Sequence, residues 1–344
     1  MTLSRNSGEA RSGHPRPPRK PLPRIRVMSE PVLVELDAQY RQLREECGLL
    51  DRSDRGKLLV SGPDGAEYLQ GQLTNDIEAL EVGDGLYAAL LDRKGHMQAD
   101  MRVLRAGAEE ILVDTEPEAI AAARRHLEMY SIGRDVTVTD VGAERAILSL
   151  IGPRGAEVAA TAPLPENACE AGSLAGIEFL AAGTRWGVDL IAVATDAGRL
   201  RDALLAAGAV EVSPAAVEIL RVEAGVPRFG AEMGTATMPA EAGIVEDAVS
   251  FTKGCYIGQE TVARLHYKGR PNRHLRGLRL SAAAEPGTAL RLGAKEVGEI
   301  GGATVSPTLG PIGLAILRRE AEPGSELAVG EDGVTARVVD LPFG

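Results

Sequence analysis

The chain has 344 residues, with 38 Lys and Arg against 49 Asp and Glu, a net charge of −11 and 44% hydrophobic residues. That length allows two or three domains, each with its own core. No apolar run of about 18 residues is present to cross a membrane, and the acidic balance argues against broad nucleic-acid binding. Three cysteines, Cys47, Cys169 and Cys255, without a Cys-x-x-Cys pair, argue against a disulfide scaffold and a structural zinc site. They exclude a cluster held by this chain's thiolates alone, which needs about four.

The stretch up to Val27 stands apart. Arg5, Arg11, Arg16, Arg19, Lys20, Arg24 and Arg26 face a single acid, Glu9, and five prolines from Pro15 to Pro23 oppose helix and favour extended, solvated chain. No apolar segment follows the charges, so the pattern is not a secretory signal. Residues 1–28 are expected to form a disordered basic tail, with Met28 as an alternative start.

Beyond it, Leu36, Tyr40, Leu43 and Cys47 recur at helical spacing up to Gly48. A short strand at Lys57–Val60 and a helix through Tyr68 and Leu69 follow. Gly/Asp turns then separate strands at Leu86–Leu91, Met97–Leu104 and Ile111–Asp114. A helix runs from about Glu116 to Tyr130, with Asp114 or Thr115 available as its cap. The order recurs: a strand at Ala146–Ile151, a short helix from Gly155, a hairpin over Ile177–Ala181 and Gly187–Val193, and a helix over Asp196–Ala207 capped by Thr195. Two α+β units side by side are expected, each a sheet with helices on one face. Ser213-Pro214 opens a further helix that ends at Gly225. After His274, short β-like runs separated by Gly, Pro and Asp predict a small antiparallel barrel or sandwich. The plan is a tail (1–28), an α+β body in two subdomains (29–250), a connecting segment (251–274) and a C-terminal antiparallel β-barrel domain (275–344).

Three features carry chemistry. Glu223 lies three and four positions after Leu220 and Ile219, on or beside an apolar helix face. It is either a solvated helix end or a carboxylate on a cavity wall that accepts two parallel N–H donors. In the run Lys253-Gly254-Cys255-Tyr256-Ile257-Gly258-Gln259-Glu260, Lys253 precedes Cys255 by two residues. A nearby cation lowers a thiol pKa, so Cys255 is either a reactive thiol or a small residue packed in a turn. From Arg264 to Arg279, basic residues including Lys268, Arg270 and Arg273 interleave with His266, Tyr267 and His274. They suit an anionic tail, a phosphate backbone or stacked bases, or else a solvated linker face. No Ser–His–Asp or His-Glu-x-x-His spacing occurs, and no two histidines are placed as a metal pair.

The eight-residue run Lys253–Glu260, followed by Val262-Ala263-Arg264, closely resembles the marker of the YgfZ-type folate-binding proteins, relatives of the glycine-cleavage T-protein, an aminomethyltransferase. Gly71-Gln72-Leu73-Thr74-Asn75-Asp76, Asp92-Arg93-Lys94-Gly95, Arg221–Gly230 and Met238-Pro239-Ala240-Glu241 support it in the family's order. The resemblance implies a T-protein-like fold of three subdomains around a hole that holds tetrahydrofolate. It implies that Glu223 grips the pterin and that Tyr87 lines the pocket. Tyr256, Gln259, Arg264 and Arg273 join them as folate contacts, the two arginines on its glutamate tail. Asp100 falls at or next to the T-protein's catalytic acid, and Cys255 with Lys253 supplies the marker's own chemistry. Phe229 replaces a T-protein tyrosine. The function implied first is a cytoplasmic, tetrahydrofolate-binding accessory protein for iron–sulfur cluster assembly or repair, affecting tRNA-modifying cluster enzymes. Its partners would be cluster-assembly proteins or cluster enzymes, with no membrane and no stable nucleic acid. The alternative is a folate-dependent aminomethyltransferase of the glycine-cleavage type. A third reading is a demethylase domain detached from its oxidase, and no Gly-x-Gly-x-x-Gly is present to complete a flavin enzyme.

Overall fold

The computed structural model describes residues 30–343. The expected tail and the start at Met28 lie outside the described residues. Two sheets form the body. The first is antiparallel, in the order Gly85–Leu91, Met97–Gly107, Glu110–Thr115, Gly56–Ser61, Thr137–Asp140. The second runs Val210–Glu211, Gly48–Asp51, Arg145–Ile151, Gly187–Val193, Ile177–Thr184, Cys169–Leu174, and only its first pair is parallel.

Strand alternation sends one face of each sheet outward to helices and the other toward its neighbour. Leu58, Val60, Met101, Val103 and Val113 pack under the helices Gly65–Gln72 and Ile120–Tyr130. The Tyr68 hydroxyl, fully buried there, donates to the Leu127 carbonyl at 2.5 Å. Leu148, Leu150, Val188 and Leu190 pack against Val158, Leu200 and Leu204 of the helices Gly155–Ala159 and Ala197–Ala206. Between the sheets, Leu59, Leu104 and Leu112 meet Ile147, Ala182 and Ile191. The two expected α+β units are therefore stacked sheet on sheet.

The C-terminal unit is a curled seven-stranded antiparallel sheet around Leu278, Leu290, Leu317 and Val338. Helix Pro214–Glu223 ties the three units together. Its Ala216, Ile219 and Leu220 pack on Leu36, Tyr40 and Leu43 of helix Glu30–Glu45, and its Val222 packs on Ile312 and Leu314 of the C-terminal sheet. Ser213 caps it as expected, accepting from the Ala216 amide.

Two expected caps are corrected. The helix near 116 begins at Ile120 behind Ala119, without a side-chain cap, because the Asp114 carboxylate is consumed by two arginines and the Thr115 hydroxyl donates to the Asp100 carbonyl. Thr195 lies within a 3-10 turn, Ala194–Asp196, that precedes the helix it was to cap. The basic segment is not one strip. Its first half is the helix Gln259–Lys268 and its second half is the strand Arg273–Leu280. Gly258 opens that helix at φ +87°, and a Cβ there would come within 2.6 Å of the Asp92 carbonyl oxygen. A glycine is required where the marker loop meets the Asp92–Gly95 turn.

Candidate functional site

The apolar contact between the sheets ends at a cavity of about 530 Å³, whose wall also includes residues of helix Pro214–Glu223 and Leu275 of the C-terminal sheet. Asp100, Arg102 and Leu104 share one face of the strand Met97–Gly107. Leu104 belongs to the inter-sheet core, whereas Asp100 and Arg102 line the cavity.

Arg102 stands in register between Tyr87 on one neighbouring strand and Asp114 on the other. Its Nε donates to Asp114 Oδ2 at 2.7 Å, and its Nη1 reaches across to the second sheet, 2.9 Å from Asp189 Oδ2. Ser149, the register partner of Asp189, donates to Asp189 Oδ1 at 2.6 Å. Asp114 also accepts from Arg55 Nε at 2.7 Å, and Arg55 continues to Glu116. Buried acids and bases are paired wherever they meet, as the desolvation penalty demands.

Asp100 is the exception. Its Oδ2 accepts from the Tyr87 hydroxyl at 2.8 Å, but its buried Oδ1 has no partner. Burial raises its pKa to about 6; the bond from Tyr87 and the field of Arg55 pull down, and Glu116 pushes up. Burial pushes Asp114 up too, yet Arg102 and Arg55 outweigh it and hold that carboxyl down at about 2. Burial, and then the Asp100 charge, lift Tyr87 well above an ordinary phenol, so it stays a donor. The cavity thus holds a permanently ionised acid and, two strand positions from Arg102, one that exchanges its proton near neutrality. Among the described residues no group of acids, histidines and cysteines is arranged to hold a metal ion. No helix there is long and apolar enough to cross a membrane.

Of the candidate site residues, Tyr87 and Asp100 line this cavity, as do Arg221 and residues 225–228 of the Arg221–Gly230 run, and the other candidates do not. Glu223 points elsewhere. Its carboxylate accepts from the Tyr40 hydroxyl at 3.0 Å and from the hydroxyls of Ser306 and Thr308. It clasps the N-terminal helix to the C-terminal sheet. The Lys253 N–H donors go to backbone carbonyls. Its Nζ donates to the carbonyls of Gln70, Leu73 and Asn75 at 2.6, 2.7 and 2.8 Å, where the helix Gly65–Gln72 ends, and burial draws its pKa down to about 8. Tyr256 is buried under that ammonium, 5.1 Å from ring centre to Nζ, and burial lifts its phenol to about 12. Cys255 is exposed, unlike Cys47 and Cys169. Gln259 starts the marker helix and is half-buried, and Arg264 is exposed on it. Arg273 pairs with Glu241 through Nε at 2.9 Å and Nη2 at 2.7 Å, and Nη2 also donates to the Ala236 carbonyl. The residues missed are Arg55, Arg102, Asp114, Ser149 and Asp189. Their signal was present: each is polar at the inward parity of a strand, or just before one, in otherwise apolar company.

Comparison with known proteins agrees with this architecture. The model of the GCVT N-terminal domain matches residues 29–253, and that of the glycine cleavage T-protein C-terminal barrel domain matches residues 273–343. An aminomethyltransferase of Listeria welshimeri is 30% identical over 328 residues, covering 90% of this chain and 89% of its own. That of Shouchella clausii is 32% identical over 326 residues, covering 89% and 88%. The crystal structure of glycine cleavage system aminomethyltransferase T from Bartonella henselae superposes with a TM-score of 0.80 at 22% identity, covering 90% of this chain and 89% of that one. The stacked α+β units, the curled C-terminal sheet and the matches over nearly all of the described residues place the chain in the glycine cleavage T-protein family.

Proposed function

We propose that the cavity binds a reduced folate, tetrahydrofolate or a derivative, and that the protein transfers a one-carbon unit of the aminomethyl type. One observation carries the reading: Asp100 is buried in a cavity of ligand size, is held on one oxygen by Tyr87, and is unpaired on the other. A half-satisfied buried carboxylate that titrates near neutrality suits proton exchange with a bound nitrogen. The names of the relatives at 30% and 32% identity support the same class. The residues fit such a ligand, since the wall offers both an acceptor, Asp100 Oδ1, and a spare donor, Arg102 Nη2.

Tetrahydrofolate, when bound, would supply the amine nitrogens to which the carbon becomes bonded as its bonds to the donor's sulfur and amino group break, with the dihydrolipoyl thiol and ammonia released. Asp100, ionised above about pH 6, takes the proton which one of those nitrogens loses. Tyr87 keeps the carboxylate oriented, and the Arg55–Asp114–Arg102 ion pairs keep the wall rigid. The test is a transfer assay with tetrahydrofolate and an aminomethyl donor on a dihydrolipoyl arm, read as methylene-tetrahydrofolate formed. Failure of purified protein to form product while still binding the folate would remove the transfer step.

A second reading keeps the YgfZ-type role in iron–sulfur cluster maintenance. It is favoured by the complete Lys253–Glu260 marker and by the exposure of Cys255. A deletion strain separates the two: loss of cluster-enzyme activity with intact glycine cleavage supports the second, and the converse supports the first.

A further inference from the structure

Asp100 keeps one oxygen free although the wall around it is rich in arginine. From its own sheet, Tyr87, Arg102, Asp114 and Glu116 face the cavity with it, and Arg52 and Arg55 face it from the turn before the strand Gly56–Ser61. Arg185 and Asp189 come from the hairpin of the second sheet, Arg221 and Arg228 from helix Pro214–Glu223 and the chain beyond it, and Asp247 from the helix Val245–Ala248. Arg102 is held by Asp114 and Asp189, Arg185 lies 3.8 Å from Glu166, and Arg221 is shared by Glu218 and Glu232.

The other three guanidiniums converge on Glu116. Arg55 Nη1 donates to its Oε1, Arg52 Nη2 lies 3.6 Å from the same oxygen, and Arg228 Nη1 lies 3.9 Å from Oε2. Arg55 is the cation whose charge acts on Asp100. It nevertheless sends Nε and Nη2 to Asp114 Oδ1, at 2.7 and 2.6 Å, and Nη1 to Glu116. All three of its nitrogens are engaged, and none reaches the free Asp100 oxygen. The backbone fixes this placement. The Thr115 hydroxyl donates to the Asp100 carbonyl at 2.5 Å, so Glu116, the next residue, is tethered beside the strand that carries Asp100.

We propose that Glu116 is a positioning residue: it anchors the Arg55 guanidinium away from Asp100 and so leaves the free carboxylate oxygen open to the substrate's proton. This rests on the transfer reading above. An arginine that closed on Asp100 would hold it ionised and make it a poor proton acceptor. Glu116 opposes that twice, by bonding the guanidinium and by its own negative charge, and both favour the protonated form of Asp100.

The experiment compares the unmodified protein with Glu116→Gln, which keeps the shape and removes the charge of the anchor. With folate saturating, the midpoint of the kcat profile is expected to move down from about 6 by at least about one pH unit. The plateau rate is expected to fall by no more than about tenfold, the most that a base weakened by one unit loses. A merely structural role would lower the plateau and leave the midpoint in place. A second measurement needs no transfer. In chemical denaturation at pH 8, the gain produced by Asp100→Asn is expected to shrink by about half when Glu116→Gln is already present, because that gain scales with the excess of the folded pKa of Asp100 over its unfolded value. Where Glu116→Gln melts below the assay temperature, Glu116→Gln with Arg52→Gln removes a cation together with the anion and is used instead. A midpoint that stays in place, or an Asp100→Asn gain that is undiminished, overturns the proposal and leaves the transfer reading standing. Absence of transfer by the unmodified protein removes the transfer reading, whereas the denaturation cycle still supports or overturns the hold of Glu116 on Asp100.

Discussion

The Tyr87 hydroxyl holds Asp100 by one oxygen, at 2.8 Å, and leaves the other unpaired in the buried wall of the cavity. Such an arrangement is costly in the free protein, because an unsatisfied buried acceptor forfeits about 1–3 kcal/mol. Asp100→Asn removes the charge and keeps the shape. It is expected to abolish methylene-tetrahydrofolate formation, lower folate affinity by no more than about tenfold, and raise the stability of the free protein by about 1–3 kcal/mol at pH 8. Chemical denaturation beside the transfer assay checks the pair of effects. A variant that is both active and no more stable would contradict the assignment.

Two of the cavity acids, Asp100 and Asp114, are expected to respond to pH in opposite directions. Asp100 has a folded pKa of about 6 against an ordinary 3.8, so the folded state keeps a proton that the unfolded chain has released. Its favourable contribution is complete below about pH 4 and is lost as the pH rises through 6. The gain from Asp100→Asn should therefore vanish near pH 4. Asp114, held down at about 2 by Arg102 and Arg55 against the effect of burial, contributes fully above 3.8 and loses that contribution as the pH falls toward 2. Asp114→Asn leaves two buried arginines short of an anion and should cost about 3–5 kcal/mol at pH 7. Denaturant midpoints across pH 4–8 for both variants decide it.

The transfer rate should follow the ionised fraction of Asp100, rising with pH along a single proton step near 6 and levelling above about 7. A profile of kcat against pH, with folate saturating at every point, checks this. A rate that is flat between pH 5 and 7 would mean that another group takes the proton.

Glu223 is expected to act on stability. Its carboxylate gathers the hydroxyls of Tyr40, Ser306 and Thr308, which belong to elements at opposite ends of the chain. Glu223→Ala should cost about 1–3 kcal/mol and leave folate affinity within about twofold. A tenfold loss of affinity at unchanged stability would return Glu223 to the pterin.

Much of the fold was legible because periodicity reports burial. The strand runs at Leu86–Leu91 and Met97–Leu104 and the helix opened by Ser213-Pro214 lie where the apolar spacing puts them. The site was less legible, since its residues come together only through sheet stacking. Nothing local in Arg102 or Asp189 announces that they meet across two sheets at 2.9 Å. Glu223 is ambiguous for a related reason. A carboxylate on an apolar helix face needs donors, and the sequence does not say whether a ligand or the hydroxyls of Tyr40 and Ser306 provide them. Lys253 stands two residues from Cys255 in the chain, while its real partners are carbonyls 178 to 183 residues distant.

Those carbonyls make the marker loop separable into two roles. Lys253 ties the loop to the end of helix Gly65–Gln72 through three bonds from a charged donor, each of a kind worth about 1.5–3 kcal/mol when unshared. Cys255, two residues on, is left at the surface, whereas burial raises the thiols of Cys169 and of Cys47, the latter to about 11. With a maleimide or iodoacetamide at pH 8, one thiol per chain should label rapidly and map to Cys255, with the other two reacting only on unfolding. Lys253→Met should lower stability by about 2–4 kcal/mol and leave the labelling rate of Cys255 within about twofold under native conditions, because the ammonium is spent on backbone oxygens. Cys255→Ser should leave stability and folate affinity unchanged, so any loss of function in a complementation assay reports the thiol itself. If Lys253→Met instead slows labelling tenfold at unchanged stability, the lysine serves the cysteine, and the loop is a reactive centre in its own right.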